Sequence, residues 1–304
     1  MAALVRSLLS GAVLSGAPLL YATLSELISQ RAGIVNLGLE GVMLVGAVSG
    51  FVAASHTGSA VVAVVVAALA GGVFNLLFAY LVLARRANQL ATGLALMFGG
   101  VGLSALIGVR YVGSQIAGLP ELRVPILAGI PVLGPALFAH DALVYAVVPL
   151  AVLIWWVLRS TRWGLTVRAV GENPVAAFAA GRDPHVLQYQ ALFVAGLLGG
   201  LAGAHLSLGV ARTWSEWMTA GRGFIAVALV IFARWHPLRA VGGALLFGGA
   251  ISLQLSMQAR GVPISPFLLD MLPYLLSLAV LAVGRGRHRH AAPGSLGRVF
   301  QGTP

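Results

Sequence analysis

The chain has 304 residues, 59% of them hydrophobic and only 9% charged, against about a quarter charged in soluble domains. Mean hydropathy is +0.94, which excludes a soluble globular domain and, equally, a disordered chain, since disorder needs low hydrophobicity. The composition is that of an all-α, polytopic bundle of transmembrane helices.

Cysteine is absent, which removes disulfides, thiolate metal sites and cysteine nucleophiles. All 19 basic residues are arginines, so the chain carries neither a P-loop lysine nor a Schiff-base lysine. The net charge of +11 fits arginines held on the cytoplasmic side of a membrane better than a nucleic-acid surface.

A spanning helix needs about 20 mainly apolar residues. Such stretches lie at 8–29, 36–55, 59–83, 89–109, 141–158, 189–209, 240–258 and 267–284, with a shorter candidate at 215–233. The prediction is about nine spans, within a range of eight to ten. Arg6 followed by an apolar run resembles a signal peptide, but no small-x-small cleavage site follows, so the first segment is expected to stay as a span. Nine spans with the C-terminus inside place 13 arginines in the cytoplasm and 6 outside, with the N-terminus outside.

The first two spans meet at ELISQRAGIVNLGLE, residues 26–40. Gly33, Gly38 and Gly41 interrupt the hydrophobic helix, and Asn36 and Glu40 bring polar groups to a depth where an acid costs about 2.5–3.5 kcal/mol. Unwound polar backbone is tolerated there only inside protein or along a cavity. Two readings stay open: interfacial charges that pair or snorkel, or Asn36 and Glu40 lining or supporting a translocation path.

An internal repeat follows. A shift of 149 positions aligns 78–103 with 227–252, with ten identities that include Arg85/Arg234, Gly93/Gly242, Phe98/Phe247 and Gly100/Gly249. Each copy reads apolar helix, short Ala-Arg loop, glycine-rich helix, a parallel repeat of the kind transporters use. The stretch 110–140 between the copies carries four prolines and is expected to form a half-buried vestibule segment outside.

The connection 159–188 is rich in charge and is expected in the cytoplasm. Asn173-Pro174 starts a helix, asparagine as N-cap and proline in the first turn, and Gly181 stops it. The result is a two-turn helix with an apolar face, which either lies against its own bundle or docks a cytoplasmic subunit. Gly196/Gly200, Gly199/Gly203 and Gly46/Gly50 are spaced for close helix approach. The expected organisation is a permease domain over 1–284 and a basic, disordered cytoplasmic tail over 285–304, drawn to anionic headgroups.

No metal-binding or nucleophile motif occurs, and the scattered histidines read as loop or packing residues. The acids available for proton coupling are Glu26, Glu40, Glu216 and Asp270, no two on one helix face.

Three blocks carry a family resemblance: SQRAGIVNLGLEGVMLVGA (29–47), RAVGENPVAAFAAG (168–181) and EWMTAGRGFIAVALVIFARWHPLRAVGGALLFG (216–248). In them the chain resembles the permease subunits of bacterial ABC importers of the branched-chain amino acid/simple-sugar superfamily. It is most similar to the shorter permease of nucleoside or simple-sugar systems. The first block reads NLGLEG where the ribose-type branch usually reads GIDLSVG, which favours the nucleoside-type branch.

The resemblance implies the ABC importer permease fold and a subunit that forms the path for a small polar solute, without enzymatic activity or a cofactor of its own. ATP and magnesium would sit on a partner ATPase. The implied partners are that cytoplasmic ATPase, a second homologous permease making a heterodimeric pore, an extracytoplasmic substrate-binding protein and the lipid bilayer. The implied location is the bacterial cytoplasmic membrane, multi-pass, with a cytoplasmic C-terminus. Carried onto this sequence, the ATPase-coupling residues are Gly171, Glu172, Asn173, Ala177 and Gly181. A stand-alone ion- or proton-coupled carrier is the competing reading, and it has no use for a docking helix.

Overall fold

The computed structural model describes residues 2–123, 125, 130, 133–261, 264–265, 268–269, 271–283, 292–298 and 300. In chain order the helices are α1 Ala2–Arg31, α2 Leu39–Thr57, α3 Ala60–Ala79, α4 Gln89–Gly108, α5 Leu133–Leu137 and α6 Ala142–Ser160. They continue as α7 Arg162–Glu172, α8 Pro174–Ala179, α9 Pro184–Ala204, α10 Arg222–Phe232, α11 Pro237–Ala259 and α12 Leu272–Val283. Turns of π-helix lengthen α3 through Tyr80–Ala84 and α9 through His205–Val210.

Among the described residues, α1, α2, α3, α4, α6, α9 and α11 are long and apolar enough to cross a membrane. Two expected spans are shorter among the described residues. The 215–233 candidate is a run of turns leading into the eleven-residue α10, too short to cross alone. The 267–284 candidate is represented by the twelve residues of α12, and Asp270 lies outside the described residues.

Local chemistry sets the helix starts. Asn88, Asp141, Thr161, Asn173 and Asp183 each accept a backbone N–H from the first turn of the following helix, which supplies partners to otherwise orphaned donors. The two repeat copies share their layout: α3 and α10 each end in a short loop, at Arg85 and at Arg234, before glycine-rich α4 and α11.

α1 runs through the middle of the bundle. Leu19, Leu20, Tyr21, Leu24 and Leu27 on it are all buried, and it packs against α9, α10 and α11. Around it, α2, α3 and α9 approach backbone to backbone. A Cβ on Gly71 would stand 2.6 Å from Gly200 Cα, and one on Gly46 would stand 2.5 Å from the same atom. Both glycine pairs of α9 are therefore used, Gly196 and Gly200 toward α3 and Gly199 and Gly203 toward α2. The outward faces of α3 and α4, including Val61, Val65, Val73, Phe98 and Leu106, are exposed and apolar, as a lipid-facing surface requires.

One end of the bundle gathers Arg31, the α6–α7–α8 connection and the loop before α11. The opposite end carries the segment after α4. There β1 (Glu121–Arg123) pairs antiparallel with β2 (Ala139–Asp141), Glu121 opposite Asp141, the one strand pair among the described residues. Leu119 N–H donates to Leu208 O at 3.0 Å and Ile116 N–H to Arg212 O at 3.1 Å, which folds this segment over the end of α9. His205 at that end is fully buried and its Nε2 lies 3.1 Å from Asp141 Oδ2.

Candidate functional site

The site has two parts at the arginine-rich end: a polar junction where α1 gives way to α2, and the surface built on α8. In the junction, residues 32–38 leave helical geometry, and the polar side chains nearby bond to the freed backbone and to one another. Glu26 Oε1 accepts from Asn36 N–H at 3.1 Å and from Gln30 Nε2 at 2.8 Å. Asn36 Oδ1 accepts from Gly38 N–H at 2.8 Å, while its Nδ2 donates to Asn75 Oδ1 at 2.7 Å. Asn75 Nδ2 donates to Leu192 O, Gln188 Nε2 to Ala32 O, and Val35 N–H to Gln89 Oε1. The knot thus ties α1, α2, α3, α4 and α9 together.

Four residues beyond Asn36, the Glu40 carboxylate is fully buried. Its Oε1 accepts from Gly221 N–H at 2.7 Å and its Oε2 from Gly223 N–H. Glu40 therefore supplies the anion at the N-terminus of α10, where unsatisfied N–H groups and the positive dipole end converge. Gly223 is the residue that lets the two come together, because a Cβ there would stand 2.7 Å from both Glu40 N and Oε2. Both Asn36 and Glu40 hold backbone in place rather than standing exposed in an open channel. Glu216, by contrast, is exposed. On the far side of this N-terminus lies a cavity of about 520 Å³, with Trp217, Arg222, Phe224, Gln254 and Tyr274 in its wall.

The second part starts at α7, whose buried stripe of Gly164, Val167, Val170 and Gly171 seats it on the bundle. A Cβ on Gly171 would collide with Arg31 O at the end of α1. Asn173 turns the chain (φ −152°, ψ 97°) and accepts Ala176 N–H at 3.0 Å, with Pro174 in the first turn. Ala177 is buried, while Val175 and Phe178 are about half exposed. Gly181, at φ +76°, ends the helix in the left-handed region, where a Cβ is disfavoured. Glu172, Asn173 and Gly181 are exposed beside them.

The described part of the tail, residues 292–298 and 300, packs on this end of the bundle. Ser295 Oγ donates to Gly171 O at 2.6 Å, Gly294 N–H to Glu172 Oε2 at 3.0 Å, and Gly297 N–H to Gly33 O at 3.0 Å. The Phe300 ring is buried, 5.4 Å from the Phe178 ring and 5.7 Å from that of His185. The physical reason is that the tail finds unpaired backbone carbonyls and an aromatic face waiting for it. The arginines and histidines at 285–290 lie outside the described residues.

Sequence reasoning missed Asn75, Gln89 and Gln188, which read as isolated polar residues in apolar runs. It also missed Trp235, whose Nε1 donates to Gln30 Oε1 at 2.7 Å. The signal available was their burial cost: a polar side chain in an apolar span needs a partner.

Comparison with known proteins decides between a transporter subunit and a stand-alone carrier. A family model described as "Branched-chain amino acid transport system / permease component" matches residues 8–281. The putative glucose ABC transporter permease protein TsgC13 of Haloferax volcanii is 37% identical over 297 residues, covering 90% of each chain. The nucleoside ABC transporter permease protein NupC of Lactococcus lactis is 35% identical over 284 residues, 89% of each chain. The guanosine ABC transporter permease protein NupQ of Bacillus subtilis is 33% identical over 286 residues, again 89% of each. With a helical permease architecture and matches along nearly its whole length, this chain belongs to the branched-chain amino acid transport system / permease component family.

Proposed function

We propose that this chain is the permease subunit of an ATP-driven importer for a nucleoside or simple sugar, working at the bacterial cytoplasmic membrane. Its multi-span helical build and the glucose and nucleoside permeases among its relatives support that reading. The arginine-rich end and the C-terminus face the cytoplasm. The chain pairs with a second homologous permease and receives its solute from an extracytoplasmic binding protein. It binds no cofactor; ATP and magnesium belong to the ATPase.

The observation that carries the coupling part is the outward presentation of α8, with Val175 and Phe178 half exposed at the tip of a capped helix. An exposed apolar tip ringed by Glu172 and Arg182 suits a cleft in a partner protein. Gly171, Glu172, Asn173, Ala177 and Gly181 shape this tip, and the strap of residues 293–298 with Phe300 braces it against α1 and α9. Motion of an ATPase would pass through α7 and Gly171 to Arg31, and so to the junction around Asn36 and the Glu40-held α10. The aromatic-walled cavity beyond α10 falls in the size range of small-molecule sites and has stacking faces for a flat ring or a sugar ring.

The absence of cysteine makes the test clean. Val175→Cys, alone in the chain, is reacted with a maleimide in the detergent-purified permease with and without its ATPase. Protection by the ATPase is the expected result. Equal labelling in both states, with the complex intact, would refute docking at α8.

A further inference from the structure

At the arginine-rich end, a pocket of about 260 Å³ opens between the ends of α1, α6 and α7 and the start of α11. Its wall carries Arg31, Arg159, Arg168 and His236, together with Trp155 and Trp235. Three guanidiniums and an imidazole face one small space with no carboxylate in its lining. Among the described residues none of the four makes a salt bridge. Glu172 is the acid that acts on Arg31, and its Oε2 already accepts Gly294 N–H. Arg31 spends two donors on Trp235 O, and Arg159 lies over the Trp155 ring at 5.6 Å. Arg168 Nε and His236 Nδ1 are buried without any hydrogen-bond partner.

Converging like charges and orphaned polar atoms are costly unless an anion completes them. The mutual influence is visible at His236, where burial, then Arg239, Arg31 and Arg159, push the imidazole below its ordinary range. Planar guanidiniums match phosphate oxygens in a bidentate fork. We infer that this pocket binds a phosphate-bearing anion through Arg31, Arg159 and Arg168. Its position points to the headgroup of an anionic phospholipid as the source. Arg31 is the last residue of α1, Arg159 lies in the last turn of α6, and His236 immediately precedes α11. Helix ends mark the membrane boundary, where tryptophans concentrate and basic pockets between helices take lipid headgroups.

The test measures the thermal midpoint of the permease, stripped of lipid in mild detergent, with phosphatidylglycerol, phosphatidylcholine or inorganic phosphate added. Wild type is expected to gain several degrees with phosphatidylglycerol and not with phosphatidylcholine. Arg159→Gln and Arg168→Gln should lose that gain, and each should be at least as stable as wild type before any anion is added, because repulsion is relieved. A gain with inorganic phosphate alone, lost in the same variants, would keep the anion site but move its source from lipid to free phosphate. No gain with either anion, or a gain that survives both substitutions, would overturn the site. If a variant does not fold, native mass spectrometry of wild type decides instead. Retained phosphatidylglycerol through delipidation supports the pocket, and its complete loss overturns it.

Discussion

Replacing Glu40 with glutamine removes a single charge from the interior, and its consequence can be worked from the geometry. Glu40 offers one carboxylate oxygen to Gly221 N–H and the other to Gly223 N–H. Glutamine keeps one acceptor and turns an NH2 group toward the second N–H. One charge-assisted hydrogen bond is lost outright, about 1.5–3 kcal/mol, and a buried N–H is left unpaired. Loss of the anion from the helix N-terminus adds up to ~2 kcal/mol in a buried setting. Relief of the carboxylate's own desolvation offsets part of this, leaving about 2–4 kcal/mol of net destabilisation. The assay is thermal unfolding of the detergent-purified protein, followed by tryptophan fluorescence, alongside solute uptake in cells. Glu40→Ala, which orphans both amides, should be worse than Glu40→Gln, and both should lose uptake. A Glu40→Gln protein as stable as wild type would show that the carboxylate does not hold α10 and would sink the argument.

Other outcomes follow from the same structure. Gly200→Ala puts a methyl group into the backbone contact between α9 and α3 and should cost about 1–3 kcal/mol. Gly99→Ala, with open space around it, should stay within about 0.5 kcal/mol of wild type, and paired thermal midpoints check the contrast. Asn173→Ala removes the cap of α8 at about 1 kcal/mol; uptake should fall while the amount of protein in the membrane does not change. Burial pushes the Asp141 carboxyl up, but the His205 hydrogen bond and charge and the Leu143 and Val144 amides outweigh it and hold it below the usual range. A depressed carboxyl contributes stability above its unfolded value of about 3.9 and loses it as pH falls through the folded value. Midpoints measured down the acid range should therefore drop below about pH 4 in wild type and flatten in Asp141→Asn.

The spans were legible because a long apolar run has one use in a chain with so few charges. α8 was legible for a local reason: Asn173, Pro174 and Gly181 hold its start and stop within nine consecutive positions. The break at 32–38 was also visible in its glycines. What satisfies it was not, because the partners Asn75, Gln188 and Trp235 come from distant segments whose approach only the packed bundle creates. The same holds for Glu40, whose amides lie 181 and 183 positions away. The contacts of residues 292–298 and 300 were hidden for the opposite reason. The segment's composition carries no periodicity, and its order comes from Gly171, Glu172 and Phe178, which a reading of the tail alone never meets. The Asp141–His205 pair went unnoticed because a single histidine has no pattern to announce it.

The docked strap also bears on how this protein can be handled at the bench. Phe300 is buried against Phe178, so a bulky label attached on residues 293–298 would stand beside α8. Such a label would crowd the face proposed to meet the ATPase, and a loss of uptake with it would report on the label rather than on expression. A label on the early turns of α1, near Leu8 and Ser252, lies at the opposite end of the bundle, away from both the strap and α8.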